Sequence, residues 1–211
     1  MSKMDILAVI AEQSGGVIET KVAVKHGVSR ATLSMYCKQN KIRRIEPGVY
    51  IMAEKEKDYY YSFSKKDREF VFSHDTALFL NKKLLNEPVK PSVTIPTGIT
   101  PTVMFSSACD VYYIKRPLFE LGKIKVKTAY GNEVFVYDYE RTICDMVRSY
   151  KRIGEERVFE VVKTYLADER KNVKKLFAYA EQFRISLRMY KIWNQAKAEM
   201  ENSSVKDGII E

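Results

Sequence analysis

The sequence predicts an α+β protein of two domains: an N-terminal winged helix-turn-helix domain, then a domain of mixed strands that ends in a helical bundle. Three observations support this: a helix-turn-helix spacing near the N-terminus, a strand–turn–strand pattern directly after it, and alternating strands followed by helical apolar spacing in the remainder. With 211 residues, 45% of them apolar, the chain is long enough for two cores. We place the winged domain and its connector at residues 1–86, the second domain at 87–200 and a frayed polar tail at 201–211.

The helix-turn-helix spacing lies at residues 19–33, after a first helix predicted for residues 4–13. Ala23 marks the point where two helices approach closely, so that only a small side chain fits. Gly27 follows at the end of the first motif helix, where a left-handed backbone costs glycine little. The second motif helix gains two apolar anchors and an N-cap hydroxyl from Val28, Leu33 and Ser29. The pattern indicates a DNA-binding motif; the alternative is an ordinary helical hairpin with a solvated basic face.

The charge of the motif supports the DNA-binding interpretation independently. The whole chain has a formal net charge of +9, and residues 20–45 contain basic residues but no Asp or Glu. Such a segment attracts phosphates and is repelled by acidic surfaces. Its seven basic residues are Lys21, Lys25, Arg30, Lys38, Lys41, Arg43 and Arg44.

One face of the second motif helix is predicted to contact DNA. Its polar residues recur at spacings of three and four, and they are Arg30, Ser34, Lys38 and Lys41, with the N-cap Ser29 beside them. Arg30 lies near the start of the helix, and we expect it to contact a base edge, with guanine the preferred partner. The lysines are expected to contact phosphates, which positions a protein on DNA without selecting a sequence.

Residues 41–52 predict the wing, as a short strand, a Pro47-Gly48 turn and a second strand. Proline presets its own φ and glycine accepts a positive φ, which suits a tight turn. Alternation along the first strand puts Arg43 and Arg44 on opposite faces, so we expect at least one to meet the DNA backbone or a minor groove. The alternative is a two-stranded edge that only caps the small core.

A charged connector is predicted after the wing, at residues 53–67. It contains three consecutive tyrosines at 59–61, for which packing on a neighbouring helix is favoured over stacking on nucleic-acid bases. A short strand at 69–72 and a helix from 74 to about 85 are predicted to follow.

The second domain changes from strands to helices along the chain. Strands are predicted at 91–96, 103–105, 111–114, 124–127 and 133–137. Helices are predicted at 139–150, 155–167, 173–183 and 187–200. Asp138 is placed to N-cap the first of these helices. Asp145 is expected to form an ion pair with Arg141 or Arg148 on the same helix.

No constellation of residues predicts catalysis, and we expect the protein not to be an enzyme. Of its two histidines, His26 falls inside the motif and His74 is expected to cap or pack a helix. The cysteines, Cys37, Cys109 and Cys144, have no paired spacing and are expected to be buried thiols. The sequence therefore predicts no cofactor and no metal site.

The apolar runs are all short compared with a membrane span. The run at residues 6–11 is also too short for the core of a secretory signal, and Asp5 and Glu12 flank it closely. We therefore expect a cytoplasmic protein that has no membrane partner.

Four segments together resemble the AbiEi family, the antitoxins of type IV toxin–antitoxin systems of the abortive-infection kind. They are Gly15-Gly16-Val17-Ile18, the wing end Pro47-Gly48-Val49-Tyr50, Ser73-His74-Asp75-Thr76-Ala77-Leu78 and Tyr139-Glu140-Arg141-Thr142-Ile143-Cys144-Asp145. The Gly-Val-Tyr wing combined with the distant Glu-Arg-Thr-x-x-Asp helix is moderately specific, whereas either piece alone is weak. The resemblance extends over about residues 4–200.

The resemblance implies an autoregulatory antitoxin of a phage-defence system. Family members repress their own operon through the winged domain, which binds inverted-repeat operator DNA cooperatively. Their C-terminal domain neutralises a nucleotidyltransferase toxin without forming a stable complex. The basic residues of the motif match the family's DNA-binding surface. A family motif, for which a structural role is expected, is matched by Glu140, Arg141, Thr142 and Asp145.

The absence of a coiled-coil heptad favours a monomer in free solution. Two further functions stay open. The first is a winged-helix transcriptional regulator whose C-terminal domain senses a small ligand, since strands and aromatic residues could line a pocket. The second is an enzyme that acts on nucleic acid, for which Asp110, Asp138 and Asp145 are the candidate carboxylates.

Overall fold

The computed structural model describes residues 1–54, 58–65 and 69–207, with side chains as far as residue 202. Helices and strands are interspersed as far as Tyr137, only helices follow among the described residues, and the strands form two separate sheets. The α+β class predicted from the sequence is therefore confirmed. Among the helices in this part of the chain, none is both long and apolar enough to cross a bilayer.

The chain divides into two compact units. The first consists of Met1–Arg68 and Lys125–Val134, and the second of Glu69–Ile124 and Phe135–Glu211. The division thus falls after residue 68, earlier than the predicted boundary after residue 86. The reason is that Val71 and Leu78, in the strand and helix before that boundary, are buried in the core of the second unit.

The first unit contains the winged helix-turn-helix that the sequence predicts. Its elements are α1 (Lys3–Gln13), β1 (Val17–Glu19), α2 (Thr20–Lys25), α3 (Arg30–Lys38), β2 (Ile42–Glu46), β3 (Val49–Met52) and α4 (Tyr59–Ser64). Leu7 and Ile10 of α1 pack with Leu33 of α3 and Ile42 of β2 in one small buried core. This core holds the two motif helices at a fixed angle to the wing.

The turn between α2 and α3 has the geometry that its residues predict. Ala23 is fully buried at the helix crossing, and Gly27 adopts a φ of +81°. The Ser29 hydroxyl accepts a hydrogen bond from the backbone N–H of Thr32 at 3.1 Å. Ser29 therefore N-caps α3, as expected, and fixes where this helix begins.

The wing is a three-stranded antiparallel sheet in the order β1-β3-β2, not a two-stranded edge. Strand β1 pairs Ile18 with Tyr50 of β3. β1 is not predicted from the sequence, because a strand of three residues is too short to show a periodic pattern. The extra strand ties the wing to the segment that enters α2.

Part of the predicted connector is helical and packed. Asp58 N-caps α4 by accepting the N–H of Tyr61 at 3.0 Å, and Tyr60 is buried. The Tyr61 hydroxyl donates to the backbone carbonyl of Gln13 at 3.0 Å. For these two tyrosines the contacts support packing rather than base stacking. Residues 55–57 and 66–67 of the predicted connector lie outside the described residues.

A hairpin tip from much later in the chain also belongs to the first unit. The Asp58 carboxylate accepts hydrogen bonds from the Thr128 hydroxyl at 2.5 Å and from the Asn132 side-chain amide at 2.9 Å. Asp58 is almost fully buried, so these bonds satisfy a carboxylate that water does not reach. The winged unit is therefore not a purely N-terminal structure.

The second unit is built on a five-stranded mixed sheet. Its strands are β4 (Val71–Phe72), β5 (Ser92–Pro96), β6 (Asp110–Ile114), β7 (Lys123–Lys127) and β8 (Glu133–Tyr137). The spatial order is β6-β5-β4-β8-β7. β4 pairs antiparallel with β5 and parallel with β8, and β5 pairs parallel with β6.

Eight helices accompany this sheet among the described residues. They are α5 (His74–Leu80), α6 (Val103–Ala108), α7 (Arg116–Phe119), α8 (Tyr139–Arg148), α9 (Tyr150–Ile153), α10 (Glu155–Ala167), α11 (Val173–Gln182) and α12 (Ser186–Asp207). α8 is the central one, with residues from Tyr139 to Val147 buried between strands and the other helices. The C-terminal helical bundle is thus present.

Three secondary-structure predictions are wrong. Residues 103–105 begin helix α6 rather than a strand, because the Thr102 hydroxyl accepts the N–H of Phe105 and caps a helix there. α5 ends at Leu80, since the chain reverses through Lys82 at a φ of +60°. α12 continues to Asp207, beyond the predicted end of the last helix at residue 200. Residues 208–211 lie outside the described residues.

Candidate nucleic-acid interface

The outward face of α3 presents three of the four predicted contact residues. Arg30, Ser34 and Lys38 are exposed, whereas Leu33 on the inward face is buried. Met35, 45% exposed, adds an apolar side chain beside them, of the kind that can pack on a thymine methyl group. The face therefore offers cationic, hydroxyl and apolar contacts over little more than two helical turns.

Lys41 does not continue this face. α3 ends at Lys38, and Asn40 adopts a left-handed φ of +52° that turns the chain towards β2. The Lys41 ammonium lies 5.3 Å from the centre of the Tyr36 ring. The predicted spacing fails at Lys41 because it assumes a helix that in fact ends three residues earlier. Lys41 is still exposed, on a different part of the surface.

The two wing arginines lie on opposite faces of the sheet, as alternation predicts. Arg44 is paired with Tyr50, and Arg43 with Ile51; residues paired across antiparallel strands point to the same face. Tyr50 packs against the core of the first unit that contains the helix-turn-helix. Arg44 therefore lies on the motif side of the wing and Arg43 on the other side.

An open groove of about 460 Å³ separates the wing from the starts of α2 and α3. We call it the wing groove; it is lined by residues 19–21, 30, 44 and 47–50. Thr20 fixes its width, because both its backbone N–H and its hydroxyl donate to the carbonyl of Gly48 at 2.8 Å. Lys21, Arg30 and Arg44 all line this groove.

The predicted DNA-contacting cations of the first unit make no ion pair with any carboxylate that the structure describes. This holds for the seven basic residues of the motif and wing, which are Lys21, Lys25, Arg30, Lys38, Lys41, Arg43 and Arg44, and all seven are exposed. Exposed cations without an ion partner attract a polyanion.

Two features of the groove, Thr20 and Glu19, are not predicted from the sequence. Thr20 is the residue that ties the wing tip to α2, and Glu19 brings a carboxylate to the groove wall. A β-branched residue at the first position of a helix is a weak signal, and only the pairing of β1 with β3 shows why Thr20 meets Gly48.

The family-motif residues lie far along the chain, on α8, and their charges are used internally. The Arg141 guanidinium is fully buried; its Nε donates to Asp145 at 3.0 Å, and Nη1 donates to the carbonyls of Leu118 and Leu121 at 2.7 and 2.5 Å. It also lies 3.8 Å from the centre of the Tyr137 ring. These contacts join α8 to α7 and to the loop between α7 and β7.

The other family-motif residues of α8 also form hydrogen bonds within the protein. Glu140 accepts hydrogen bonds from the Tyr165 hydroxyl and from the backbone N–H of Asn172, both at 3.2 Å. The Thr142 hydroxyl donates to the carbonyl of Asp138 at 2.7 Å. The Asp138 side chain accepts the N–H of Arg141 at 2.9 Å, so that the predicted N-cap and the predicted Arg141–Asp145 ion pair are both confirmed.

The candidate carboxylate Asp110 is partly exposed and pairs with Arg152 at 3.3 Å, whereas His74 is enclosed in the second unit. His74 is buried and stacked on Tyr112 with 3.4 Å between ring centres, and its ring nitrogens contact the hydroxyls of Ser73 and Ser149. Burial lowers the pKa of His74 to about 3, an effect that Asp145 partly opposes and Arg148 reinforces. His74 is therefore neutral at physiological pH. Ser73, rather than His74, occupies the N-cap position of α5.

Cys109 and Cys144 are buried thiols as expected, whereas Cys37 is only partly buried. Burial raises the pKa of the Cys144 thiol, which makes it unreactive. Among the described residues, no group of three or more His, Cys, Asp or Glu side chains is placed to hold a metal ion.

Fold and surface together define the first unit as a winged helix-turn-helix with an exposed basic face on α3. Residues 5–53 match the family described as AbiEi antitoxin transcriptional regulators. The resemblance predicted from the sequence is thereby confirmed for this segment, and it indicates a DNA-binding regulator of the antitoxin type.

Two further comparisons extend over the whole chain. No curated protein matches it. A crystal structure of the RV2827C protein from Mycobacterium tuberculosis aligns with 90% of this chain and 79% of its own, at 11% sequence identity and a TM-score of 0.44.

Proposed function

We propose that this protein is the antitoxin of a type IV toxin–antitoxin system and represses its own operon by binding inverted-repeat operator DNA. The observation that carries the DNA-binding part is the basic surface of the first unit, where exposed cations on α3 and the wing have no internal ion partner among the described residues. The regulatory and antitoxin parts are supported by the family match at residues 5–53.

In this proposal the outward face of α3 enters the major groove. Arg30, in the first turn, donates both arms of its guanidinium to a guanine base edge. Ser34 and Met35 contact the neighbouring bases, and Lys38 contacts a backbone phosphate. Lys25 on α2, and Lys41 beyond α3, add phosphate contacts at the border of the interface.

Two monomers bind the two repeats cooperatively, and the functional partner is a nucleotidyltransferase toxin encoded beside this gene. Neutralisation occurs in the cytoplasm without a stable complex between the two proteins. The protein itself has a regulatory rather than an enzymatic role in this proposal, and it uses no cofactor.

A titration of full-length protein against the duplex upstream of its own gene tests the repressor part. A scrambled duplex of the same composition is the control, and both are measured at two salt concentrations. We expect stepwise shifts and strong preference for the upstream duplex. Equal, salt-sensitive binding to both duplexes would show a nonspecific polyanion surface and contradict the repressor.

Co-expression with the neighbouring gene tests the antitoxin part. We expect this protein to restore growth that the neighbouring protein arrests, while the two fail to co-purify. Absence of rescue, with both proteins present in soluble form, would contradict the antitoxin. A ligand that changes both the melting temperature and the operator affinity would instead favour the ligand-sensing regulator.

A further inference from the structure

We propose that the wing groove is the binding site for one phosphodiester of the DNA backbone, formed by Arg44 and Lys21 next to the base that Arg30 contacts. Arg43 takes no part in this site. The inference deepens the proposed function and rests on it, since it assigns separate roles to two neighbouring arginines of the wing.

The strand register of the wing shows that Arg44 lies on the side of the motif helices. Arg44 pairs with Tyr50, which pairs in turn with Ile18, and Ile18 is buried in the core that supports the motif helices. The sheet face that carries Arg44 is therefore the face towards α2 and α3. A β-bulge interrupts the register between Arg44 and Glu46, where it increases the local twist of the wing.

The positive charge of the wing groove also favours a phosphate. Lys21, Arg30 and Arg44 line one groove, and none of them forms an ion pair with a described carboxylate. Glu19 is the only acidic residue among the described residues that line the groove, so the three cations outnumber it there. The Arg44 Nε makes one long contact, 3.4 Å, to the carbonyl of Glu46. Its terminal amino groups are left for a phosphate, which a guanidinium binds through two parallel hydrogen bonds.

The third argument is the rigidity of the groove walls. Two hydrogen bonds from Thr20 hold the carbonyl of Gly48 at the wing tip. This contact joins the loop that carries the turn to the start of α2, where Lys21 follows. The same contact fixes the backbone of the wing tip relative to the start of α2 before DNA arrives, which lowers the ordering cost of binding.

Arg43 is a matched control within the chain. It has the same side chain, stands at the adjacent position and is also exposed, but it lies on the opposite sheet face with Val17 and Ile51. A general electrostatic contribution of the wing would be lost equally from either arginine. A specific phosphate site is lost only from Arg44.

The experiment measures the affinity of full-length wild type, Arg43→Ala and Arg44→Ala for the upstream duplex and for a scrambled duplex by fluorescence anisotropy at four salt concentrations. We expect Arg44→Ala to weaken binding to both duplexes about tenfold and to reduce the salt slope by about 1, the value for one lost phosphate contact. We expect Arg43→Ala to change either affinity less than twofold. Glu19→Gln should tighten binding, because it removes the carboxylate from the groove.

A second measurement replaces single phosphates of the bound duplex by neutral methylphosphonates. At one position the replacement should weaken the wild type but not Arg44→Ala. Equal losses from the two arginine variants, or an Arg44→Ala protein that keeps the wild-type salt slope, would overturn the inference. A wild type that binds both duplexes equally would contradict the repressor, whereas the Arg44–Arg43 difference could still appear on both duplexes.

Discussion

Helices α3 and α8 both carry arginines, but they place them in opposite environments. In α3 one residue of nine, Leu33, is buried, and Arg30 is exposed without an ion partner among the described residues. In α8 nine residues of ten are buried, and Arg141 is fully enclosed between Asp145, two carbonyls and two aromatic rings.

The difference follows from the cost of removing a charge from water. A buried guanidinium is tolerated only when its hydrogen bonds and its charge are largely satisfied within the protein. An exposed guanidinium keeps its hydration until a partner replaces it. The pairing state of an arginine therefore separates residues that hold the fold together from residues that remain available for a polyanion.

The largest effect is expected from Arg141→Ala. The substitution leaves the Asp145 carboxylate, which is fully buried, without its closest cation. We expect a loss of about 3–5 kcal/mol in the free energy of unfolding, the usual cost of breaking a buried ion pair. Urea unfolding measures it, with Arg30→Ala as the control that should change stability by less than about 0.5 kcal/mol. Similar losses from the two variants would remove the distinction between the helices.

The effect of burial on a charged group also applies to His74. His74 is buried with its pKa lowered to about 3, so below about pH 6.5 the unfolded chain binds a proton there that the native protein does not. The free energy of unfolding should therefore fall as pH decreases, by roughly 1.4 kcal/mol per pH unit from this group. Urea unfolding between pH 7 and pH 5 should show a shallower dependence in His74→Gln than in wild type.

A wild-type protein whose stability is constant between pH 7 and pH 5 would show that His74 is not held neutral by burial.

The features that could be predicted from sequence are those set by residues close together in the chain. Ala23, Gly27 and Ser29 specify the motif turn within a few residues. The Asp138 cap and the Arg141–Asp145 pair are likewise separated by three or four positions, and helical geometry alone brings them together. Local spacing is therefore sufficient to predict the helix-turn-helix and the contacts of the charged side chains along α8.

The features that could not be predicted depend on distant pairing. The contact of Asp58 with Thr128 joins residues 70 positions apart, and no local pattern indicates it. Alternation shows that Arg43 and Arg44 point in opposite directions, but only the pairing of β1 with β3 shows which one points to the motif. The short apolar run at 103–105 fits a strand or a helix, and the cap from Thr102 decides for a helix.

A smaller effect is expected where a glycine approaches the buried arginine. Gly122 has a φ of +71°, and a Cβ added there would lie 2.6 Å from the Cβ of Arg141. Gly98 has a φ of +96° with no atom within 4 Å of such a Cβ. Both Gly→Ala variants strain the backbone, so the difference between them isolates the steric clash. We expect Gly122→Ala to be less stable than Gly98→Ala by about 1–3 kcal/mol in urea unfolding, and equal losses would contradict the close packing.

The smallest effects on stability and the sharpest test of α3 come from its two cations. Arg30→Ala should weaken binding to the upstream duplex by about 1–3 kcal/mol and relax the preference at one base pair, because a base contact is lost. Lys38→Ala should weaken binding to the upstream and scrambled duplexes equally and reduce the salt slope by about 1, because a phosphate contact carries no sequence information. Both variants should unfold at the wild-type urea concentration, since neither side chain is paired within the described residues.

If both variants bind the upstream duplex like wild type, the exposed face of α3 is not the contact surface. If Lys38→Ala also loses sequence preference, Lys38 contacts a base, and its assignment as a phosphate contact is wrong.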